Sequence, residues 1–283
     1  MFLYGANYSI AKIALPEYVQ PYGFVAIRVV MAFLMLAIFH ALAIKEKIEN
    51  KDLPKVALCA LFGVVINQIF FLKGLSLTSE IHASLIMIST PILILVLSAV
   101  FLKEKITWTK SFGILLGAGG VAWLILQGGA GGDSKASQLG DLFILINACS
   151  YGGYLVLVKP LMSKYNPITI IKWMFFFGMF IVIPFGFNQF IMIDWAGMPT
   201  EALFSVAYVV IGATFLTYVG NAIAIKELDA SIVGIYIYLQ PFIASSIAVA
   251  LGNDVFTLEK LLSGLLVITG VMLASGFIKL RKV

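Results

Sequence analysis

Hydrophobic residues run in stretches of about twenty along most of this chain, separated by short polar segments. A run of that length can cross a bilayer as an α-helix. Prolines before several runs and polar residues after them mark the helix ends. The pattern predicts ten helices, called spans 1 to 10, at residues 1–15, 22–44, 55–75, 81–102, 111–127, 139–162, 167–187, 202–225, 230–252 and 258–280.

The second half of the chain repeats features of the first half at an offset of about 147 to 150 residues. The repeated pairs are Tyr4 and Tyr151, Lys12 and Lys159, Pro91 and Pro241, and Gly120 and Gly270. Each half holds five spans, an odd number, so the second half must lie upside down in the membrane relative to the first. We therefore predict an all-α integral membrane protein, with ten transmembrane helices arranged as two inverted five-helix repeats, as in secondary transporters.

The two predicted repeats are joined by one glycine-rich segment of low complexity. Residues 128–138 are predicted to be a flexible linker, because small and polar residues there favour no regular structure. The first repeat covers residues 1–127 and the second covers residues 139–283.

The composition places the chain in lipid. Of 283 residues, 61% are hydrophobic and 12% are charged, and the mean hydropathy is +1.03. A soluble domain has about 25% charged residues. The formal charge of +5 is spread through short loops, so it indicates orientation in the bilayer and not a nucleic-acid partner. Cys59 and Cys149 fall in apolar spans without metal-ligand spacing and are interpreted as small buried hydrophobic residues.

Lysine and arginine are unevenly divided between the two predicted membrane faces. The face with the C-terminus carries Lys45, Lys47, Lys51, Lys55, Lys103, Lys105, Lys110, Lys159, Lys164, Lys226, Lys279, Arg281 and Lys282. The other carries Lys12, Lys73, Lys135 and Lys260. Both termini are therefore expected in the cytoplasm, with the protein in the inner (plasma) membrane. Arg28 and Lys172 are expected to reach from their spans to an interface.

The start of the chain lacks the basic region of a signal peptide, so no cleavable leader is predicted. Met1 stands inside an apolar run, which leaves open a longer native N-terminus.

Acidic residues lie only in loops or at predicted span ends, so no carboxylate is expected near the membrane midplane. Coupling of transport through a buried acid is therefore disfavoured. The chain has no HExxH, GxSxG or phosphate-binding glycine motif, and we predict neither an enzyme nor a bound cofactor or metal. His82 with Glu80 remains a titratable candidate pair, although an interfacial polar cluster is the favoured interpretation.

Neutral polar residues occur at matching depth in several spans. In span 6, Asn147, Tyr151 and Tyr154 share one helix face, and span 8 repeats that spacing. Any one of these residues can instead join helices, at about 0.6 kcal/mol per contact. Together they favour an aqueous cavity, because an amide in hydrocarbon is costly without a partner. The predicted substrate contacts are Asn7, Asn67, Gln68, Tyr151, Tyr154, Tyr218, Asn221, Tyr236 and Gln240.

Prolines and glycines add two structural predictions. Pro91 and Pro241, at equivalent repeat positions, each remove a backbone hydrogen bond and are predicted hinges. Glycines in spans 5 and 10, including Gly120 and Gly270, are expected to allow close helix packing.

Several segments of the chain resemble one family. They are Tyr4-Gly5-Ala6-Asn7 with Lys12, Arg28 at the start of span 2, Thr90-Pro91, Leu102-Lys103-Glu104-Lys105, and Gly113 to Gly120-Val121. Over its whole length the chain is similar to ten-helix, EamA-type members of the drug/metabolite transporter superfamily. It departs from their pattern at Tyr4, where tryptophan is usual.

The resemblance implies a substrate path between the repeats, lined mainly by spans 1, 3, 4, 6, 8 and 9. It also implies alternating access and frequent export of amino acids, metabolites or drugs. We predict a secondary transporter that exports a small organic solute and is present as a monomer or homodimer in the lipid bilayer. The alternatives are a channel-like facilitator without ion coupling, and a non-transporting membrane scaffold whose polar residues pack together without a cavity.

Overall fold

A computed structural model describes residues 2–102, 107–127, 137–227, 239–255 and 257–274. Within these ranges the regular secondary structure is entirely helical. The α-helices are α1 (Phe2–Ala14), α2 (Pro21–Ala43), α3 (Leu53–Ala60), α4 (Asn67–Leu75), α5 (Glu80–Met87), α6 (Thr90–Leu102), α7 (Trp108–Gln127), α8 (Gln138–Lys164), α9 (Pro167–Ile191), α10 (Thr200–Ala207), α11 (Thr217–Glu227), α12 (Leu239–Ala250) and α13 (Leu258–Ala274). A 3₁₀ turn, Asn50–Asp52, precedes α3.

Helix occurs in each of the ten predicted spans, which confirms the all-helical class. Six helical stretches among the described residues are long and apolar enough to cross a membrane. They are Pro21–Ala43, Asn50–Leu75, Glu80–Leu97, Gln138–Lys164, Pro167–Ile191 and Thr200–Asn221. Most of the predicted linker and the first part of span 9 lie outside the described residues. Of the last two linker residues, Gln138 begins α8 and Ser137 caps it, because the Ser137 side chain accepts a hydrogen bond from the Gly140 amide.

Two π-helical segments interrupt the α-helical stretches of spans 3 and 8. Leu61–Ile66 joins α3 to α4, and Tyr208–Leu216 joins α10 to α11, at about the same offset that relates the two halves. A π turn shifts backbone hydrogen bonds, and such segments are frequent at functional sites. In the second segment Thr214 Oγ1 donates to the Val209 carbonyl at 2.7 Å, so a side chain supplements the helix ladder.

The helical stretch of span 4 is broken just before Pro91. Helix α5 ends at Met87 and α6 begins at Thr90. Pro91 has no N–H to give to the Met87 carbonyl, and Thr90 Oγ1 donates to that carbonyl at 2.7 Å instead. The lost backbone hydrogen bond is thus replaced locally. Pro241 is the third residue of α12, and the residues before Leu239 lie outside the described ranges.

Close backbone contacts at glycines hold two pairs of helices together. Helix α7 packs along α13, and α2 packs along α9. A Cβ added at Gly270 would lie 2.4 Å from the backbone nitrogen of Gly117. One added at Gly186 would lie 2.4 Å from the Tyr22 carbonyl oxygen. Side chains larger than hydrogen would force these helices apart. For α7 and α13 this agrees with the close packing expected from the glycines of spans 5 and 10.

The outer surface of the bundle is strongly apolar. Large side chains such as Leu42 and Leu115 are 77% and 71% exposed, and phenylalanines of α9 are exposed with them. Water does not solvate so continuous an apolar surface favourably, whereas lipid chains do. The polar groups are correspondingly gathered in the interior and at the helix ends.

Candidate functional site

A cavity of about 70 Å³ lies where helices from the two halves of the chain meet. It is lined by Tyr4, Asn7, Tyr8, Arg28, Asn67, Gln68, Phe71, Met87, Asn147, Tyr151, Tyr218 and Gln240. One water molecule needs about 10–15 Å³ on this measure, so the cavity has room for several. Its wall combines aromatic rings with amide groups and one guanidinium group.

Gln68 and Tyr218 face each other in the cavity wall, and their hydrogen bonds set the direction of the glutamine amide. The Tyr218 hydroxyl donates to the Gly63 carbonyl at 3.1 Å. It accepts from Gln68 Nε2 at 3.3 Å. The amide nitrogen of Gln68 therefore points at the phenol, and Gln68 Oε1 is buried without a hydrogen-bond partner.

Asn147 is oriented in a similar way by the backbone of α4. Asn147 Nδ2 donates to the Asn67 carbonyl at 2.7 Å, which leaves Asn147 Oδ1 buried and unpaired. Asn7 Oδ1 is also buried and unpaired. With Gln68, three amide oxygens at the cavity therefore lack a hydrogen-bond donor. Buried polar atoms are paired in most proteins, so a group of this kind indicates a place where water or a ligand binds.

Arg28 lies inside the protein, and the expectation that it reaches to the membrane interface is wrong. Its side chain lines the cavity and the residue is 4% exposed. Arg28 Nε donates to Thr214 Oγ1 at 2.9 Å, while Nη1 is buried without a partner. The side chain turns inward because α2 packs on the π-helical segment that carries Thr214, and that threonine supplies the acceptor.

The structure brings six of the nine predicted contact residues to the cavity wall. These are Asn7, Asn67, Gln68, Tyr151, Tyr218 and Gln240. Gln240 comes from the first turn of α12. The side chains therefore meet at one place although they come from five helices.

Two of the other three predicted contact residues lie elsewhere. Tyr154 is buried in the core, where its ring covers Gly63 and lies 5.9 Å from the ring of Tyr151. A side chain three positions further along a helix points about 60° away from the first, so Tyr154 turns away from Tyr151. Gly63 of span 3 has no side chain, and this leaves space for the Tyr154 ring. Asn221 lies behind the wall, where Nδ2 donates to the Tyr4 hydroxyl at 3.3 Å. Tyr236 lies outside the described residues.

Six wall residues were not among the predicted contacts: Tyr4, Tyr8, Arg28, Phe71, Met87 and Asn147. Helical spacing contains a signal for some of them, since Tyr4 precedes Asn7 by three positions and Phe71 follows Gln68 by three. Met87 carries no such signal. It reaches the cavity because α5 ends there.

A buried polar group, called the Asp141 cluster, lies at the end of the bundle where α8 begins. It consists of Asp141, His82, Thr78, Glu80 and Lys12. His82 Nδ1 and Asp141 Oδ2 are 2.8 Å apart, and Thr78 Oγ1 also donates to Asp141. Lys12 Nζ lies 3.3 Å from Glu80 Oε2. His82 and Glu80 thus have different partners and do not pair with each other, but both belong to a polar cluster at the end of the bundle, as the favoured interpretation expected.

A second buried ion pair lies beside the Asp141 cluster. Lys260 Nζ is 2.7 Å from Asp254 Oδ1, and both side chains are almost fully buried. Asp254 Oδ2 accepts a hydrogen bond from the Ile81 amide at 3.1 Å. This pair joins the connection between α12 and α13 to the start of α5. Together, the cluster and the pair link the ends of helices that surround the cavity.

The opposite end of the bundle carries a more exposed ionic group. Lys164 Nζ lies 2.7 Å from Asp52 Oδ2 and 2.6 Å from Glu49 Oε1. Tyr165 Oη donates to Asp52 at 2.8 Å. Hydrogen bonds from Lys164 and then from Lys51 hold the pKa of the Glu49 carboxyl below its usual range. These contacts tie the connection between α2 and α3 to the end of α8.

In the part of the chain that the structure describes, no three His, Cys, Asp or Glu residues lie close enough together to hold a metal ion. The cavity itself offers hydrogen-bond acceptors, phenols and a cationic guanidinium. This is an arrangement for binding a polar organic molecule.

Known proteins share the sequence pattern across the whole chain. The profile of the EamA-like transporter family matches residues 1–126 and 138–276. An "Uncharacterized transporter" of Archaeoglobus fulgidus is 27% identical over 266 residues, covering 94% of this chain and 91% of the relative. The "Uncharacterized transporter YvbV" of Bacillus subtilis is 29% identical over 292 residues, covering 100% and 91%. A "Probable terminal-alkyne amino-acid exporter" of Streptantibioticus cattleyicolor is 26% identical over 251 residues, covering 87% and 81%.

A solved crystal structure shares the fold. It superposes with a TM-score of 0.66 at 17% sequence identity, covering 98% of this chain and 97% of that chain. The family profile spans both halves of the sequence, and the apolar helices suit a protein that crosses the membrane several times. The chain is a multi-pass membrane protein of the EamA-like transporter family.

Proposed function

We propose that this protein is a secondary transporter that exports a small organic solute by alternating access through the central cavity. The observation that carries the proposal is the cavity itself. It lies between the two halves of a member of a transporter family, and four buried polar groups there have no hydrogen-bond partner. A solute that enters the cavity can supply hydrogen-bond partners for these groups, which makes its binding favourable. A cavity with a purely apolar wall would offer a polar solute no such hydrogen bonds.

The helix contacts support the proposed arrangement of two inverted five-helix repeats. Span 1 packs on spans 8 and 9 through α1, α10 and α12, and span 6 packs on spans 3 and 4 through α8, α4 and α6. Exchanging the halves turns the first set of contacts into the second. The same exchange swaps α2 with α9 and α7 with α13, and the two helices of each pair pack against each other. A two-fold axis through the cavity produces such a pattern.

The Asp141 cluster and the Asp254–Lys260 pair would form the gate at one end of the cavity. They join α1, α5 and α8 to the connection before α13, so a solute can leave at that end only when these contacts separate. The distribution of lysine and arginine assigns this end to the outside and both termini to the cytoplasm. The solute would then load from the cytoplasm while the outer gate is closed.

Pro91 and Pro241 are proposed as the points about which the helices move. The helical stretch of span 4 is already interrupted before Pro91, and Met87 at that interruption lines the cavity. A helix that lacks one backbone hydrogen bond bends at lower cost than a continuous one. Motion there would change the cavity wall directly.

The cavity wall suggests an amphipathic solute. Four tyrosines offer ring faces beside the amides of Asn7, Gln68 and Asn147. One relative is named a probable amino-acid exporter, and we extend that substrate class to this chain as part of the proposal. No ion is proposed as the coupling partner.

The alternatives make different predictions about the cavity. A scaffold is expected to have its polar stripes packed against one another, and the unpaired amides around a hollow argue against that arrangement. A channel-like facilitator remains a competing function because, among the residues that the structure describes, no carboxylate lines the cavity. Saturable counterflow is a property of a carrier, whereas a facilitator shows flux that rises without saturation.

The test is transport by the purified full chain in liposomes. Vesicles are loaded with each member of a library of unlabelled amino acids and related metabolites, and uptake of the labelled form is measured against empty liposomes. The proposal expects at least one solute to show saturable counterflow. Uptake equal to that of empty liposomes for the whole library contradicts transport, and flux without saturation supports the facilitator.

A further inference from the structure

We propose that Arg28 forms an anion subsite in the cavity and that the transported solute carries a carboxylate which pairs with its free guanidinium nitrogen. This inference rests on the proposed function and names the substrate class for the same site. It starts from a charged side chain that is buried, lines the cavity and keeps Nη1 without a partner.

The guanidinium of Arg28 is held in place on one side and open on the other. Thr214 Oγ1 gives its own proton to the Val209 carbonyl, so its oxygen faces Arg28 Nε as an acceptor at 2.9 Å. That contact fixes the plane of the guanidinium. A guanidinium held in this way can donate charge-assisted hydrogen bonds from its unpaired nitrogen to a carboxylate, in fixed directions.

No acidic side chain in the described ranges neutralises Arg28. The buried carboxylates in these ranges already have partners, since Glu80 pairs with Lys12, Asp141 with His82, Asp254 with Lys260 and Asp52 with Lys164. An arginine remains charged inside a protein, and an unpaired charge away from water is strongly unfavourable. The free protein must therefore hydrate this charge with cavity water, and a bound anion replaces that water at a gain.

The amide oxygens show that the ligand is more than an anion. Gln68 Oε1, Asn147 Oδ1 and Asn7 Oδ1 are buried acceptors that need N–H or O–H donors. A chloride ion would neutralise Arg28 but supply none of them. An organic molecule with a carboxylate and a separate ammonium or hydroxyl group satisfies both sets, so the wall fits a zwitterion or a hydroxy acid.

The same charge selects against related molecules. An amine without a carboxylate brings a second positive charge close to Arg28, and the low polarity of the surroundings strengthens the repulsion. A carboxamide keeps the shape of the acid but loses the ionic attraction. The differences in affinity between an acid, its amide and its amine therefore measure the contribution of Arg28 to binding, separately from that of the other wall residues.

The test measures binding by the purified full chain through the shift of its thermal unfolding midpoint. The probes are L-leucine, L-leucinamide and isoamylamine, the corresponding L-phenylalanine series, and sodium chloride and sodium phosphate. We expect at least one free acid to bind at least about tenfold more tightly than its amide and its amine, and neither salt alone to reproduce its effect.

Three variants locate the effect. Arg28→Gln is expected to abolish the preference for the acid, and Arg28→Lys to keep part of it, because the charge remains and the planar fork is lost. Lys172→Gln is the matched control. It removes another cation of an apolar helix, one that lies 5.0 Å from the Trp173 ring and is absent from the cavity wall, and the preference should remain.

The proposal is wrong if no acid is preferred over its amide by the wild-type chain, or if Arg28→Gln keeps the preference. A shift caused equally by chloride or phosphate would replace the organic acid with an inorganic ion and also overturn it. The wild-type comparison decides the matter if Arg28→Gln fails to fold. Transport in liposomes is scored separately, so a neutral or cationic transported solute would reject the anion subsite while leaving the transporter in place.

Discussion

Gln68 and Tyr218 stand 150 residues apart, at equivalent positions of the two predicted repeats, and they hydrogen-bond to each other at 3.3 Å. Two residues that a two-fold axis exchanges can touch only when both lie close to that axis. If the halves are related as proposed, the two-fold axis passes near the cavity wall, where both side chains lie. Both also follow a π-helical segment of their own half.

Tyr218→Phe should weaken both stability and solute binding. The change leaves Gln68 Nε2 without an acceptor and the Gly63 carbonyl without its side-chain donor, at a cost of about 1 kcal/mol in the free energy of unfolding. Freed from the phenol, the Gln68 amide can rotate, so solute affinity should also fall. Thermal unfolding and solute binding measure the two effects.

Tyr208→Phe is the control for that change. Tyr208 Oη donates to the Leu3 carbonyl at 3.0 Å and does not line the cavity. It should reduce stability to a similar degree and leave solute binding unaltered. Equal effects of the two variants on binding would mean that the Gln68–Tyr218 contact has no special role at the site.

Lys12→Met should loosen the closed end of the cavity. It leaves Glu80 buried without its ion-pair partner, which raises the free energy of the closed state by about 1 kcal/mol and favours opening about fivefold. The measurement is the rate at which an impermeant maleimide labels Asn7→Cys in a chain without Cys59 and Cys149. The charge-swapped variant Lys12→Glu with Glu80→Lys should slow labelling again.

Lys51→Met serves as the comparison at the other end. Its pair with Glu49 is largely exposed, so its loss should leave the labelling rate unchanged. If Lys12→Met labels no faster than Lys51→Met, the Asp141 cluster does not control access to the cavity.

Gly270→Ala should destabilise the bundle, because the added Cβ would lie 2.4 Å from the Gly117 nitrogen and push α7 away from α13. The expected loss is about 1–3 kcal/mol in the free energy of unfolding. Gly119→Ala, on the same helix as Gly117, meets nothing within 4 Å and should be neutral or slightly stabilising. Denaturation followed by circular dichroism compares them, and equal stability of the two variants would contradict the tight packing.

Thr90→Val and Pro91→Ala should show strong coupling. Thr90→Val alone removes the donor to the Met87 carbonyl and should cost about 1 kcal/mol. Pro91→Ala restores a backbone N–H for that carbonyl, so the double variant should recover the lost stability. If Pro91 acts as a hinge, solute exchange should be slower with Pro91→Ala whether or not Thr90 is changed. Unchanged exchange would exclude the hinge.

Part of the cavity could be predicted because polar residues in apolar spans are few and their helical spacing is visible. Asn7, Gln68 and Tyr151 were found in this way, and the structure brings them together. Arg28 was misplaced. It lies seven residues into α2, about 10 Å from the helix start, and distance alone allows its side chain to reach an interface. Its direction depends on Thr214, 186 residues away.

Tyr154 shows the same limit at a finer scale. Its spacing placed it with Asn147 and Tyr151, but a stripe on a helix is wide enough to face both a cavity and a neighbouring helix. Gly63 leaves space for the ring on that neighbour, and Tyr154 fills it. The spacing in the sequence identifies the polar stripe, but it does not tell which of its residues face the cavity and which face the neighbouring helix.

The sequence by itself determined that this chain is helical and lipid-embedded, because a backbone in hydrocarbon must satisfy its own hydrogen bonds and long apolar runs have few other ways to do so. It also determined the polar positions that recur in the two halves, and the helix interruption before Pro91, because proline lacks the backbone N–H that a continuous helix needs. The tertiary structure decided which side of each helix turns inward. That choice depends on long-range contacts such as Arg28 with Thr214 and Tyr154 with Gly63, whose partners are close in space and far apart along the chain.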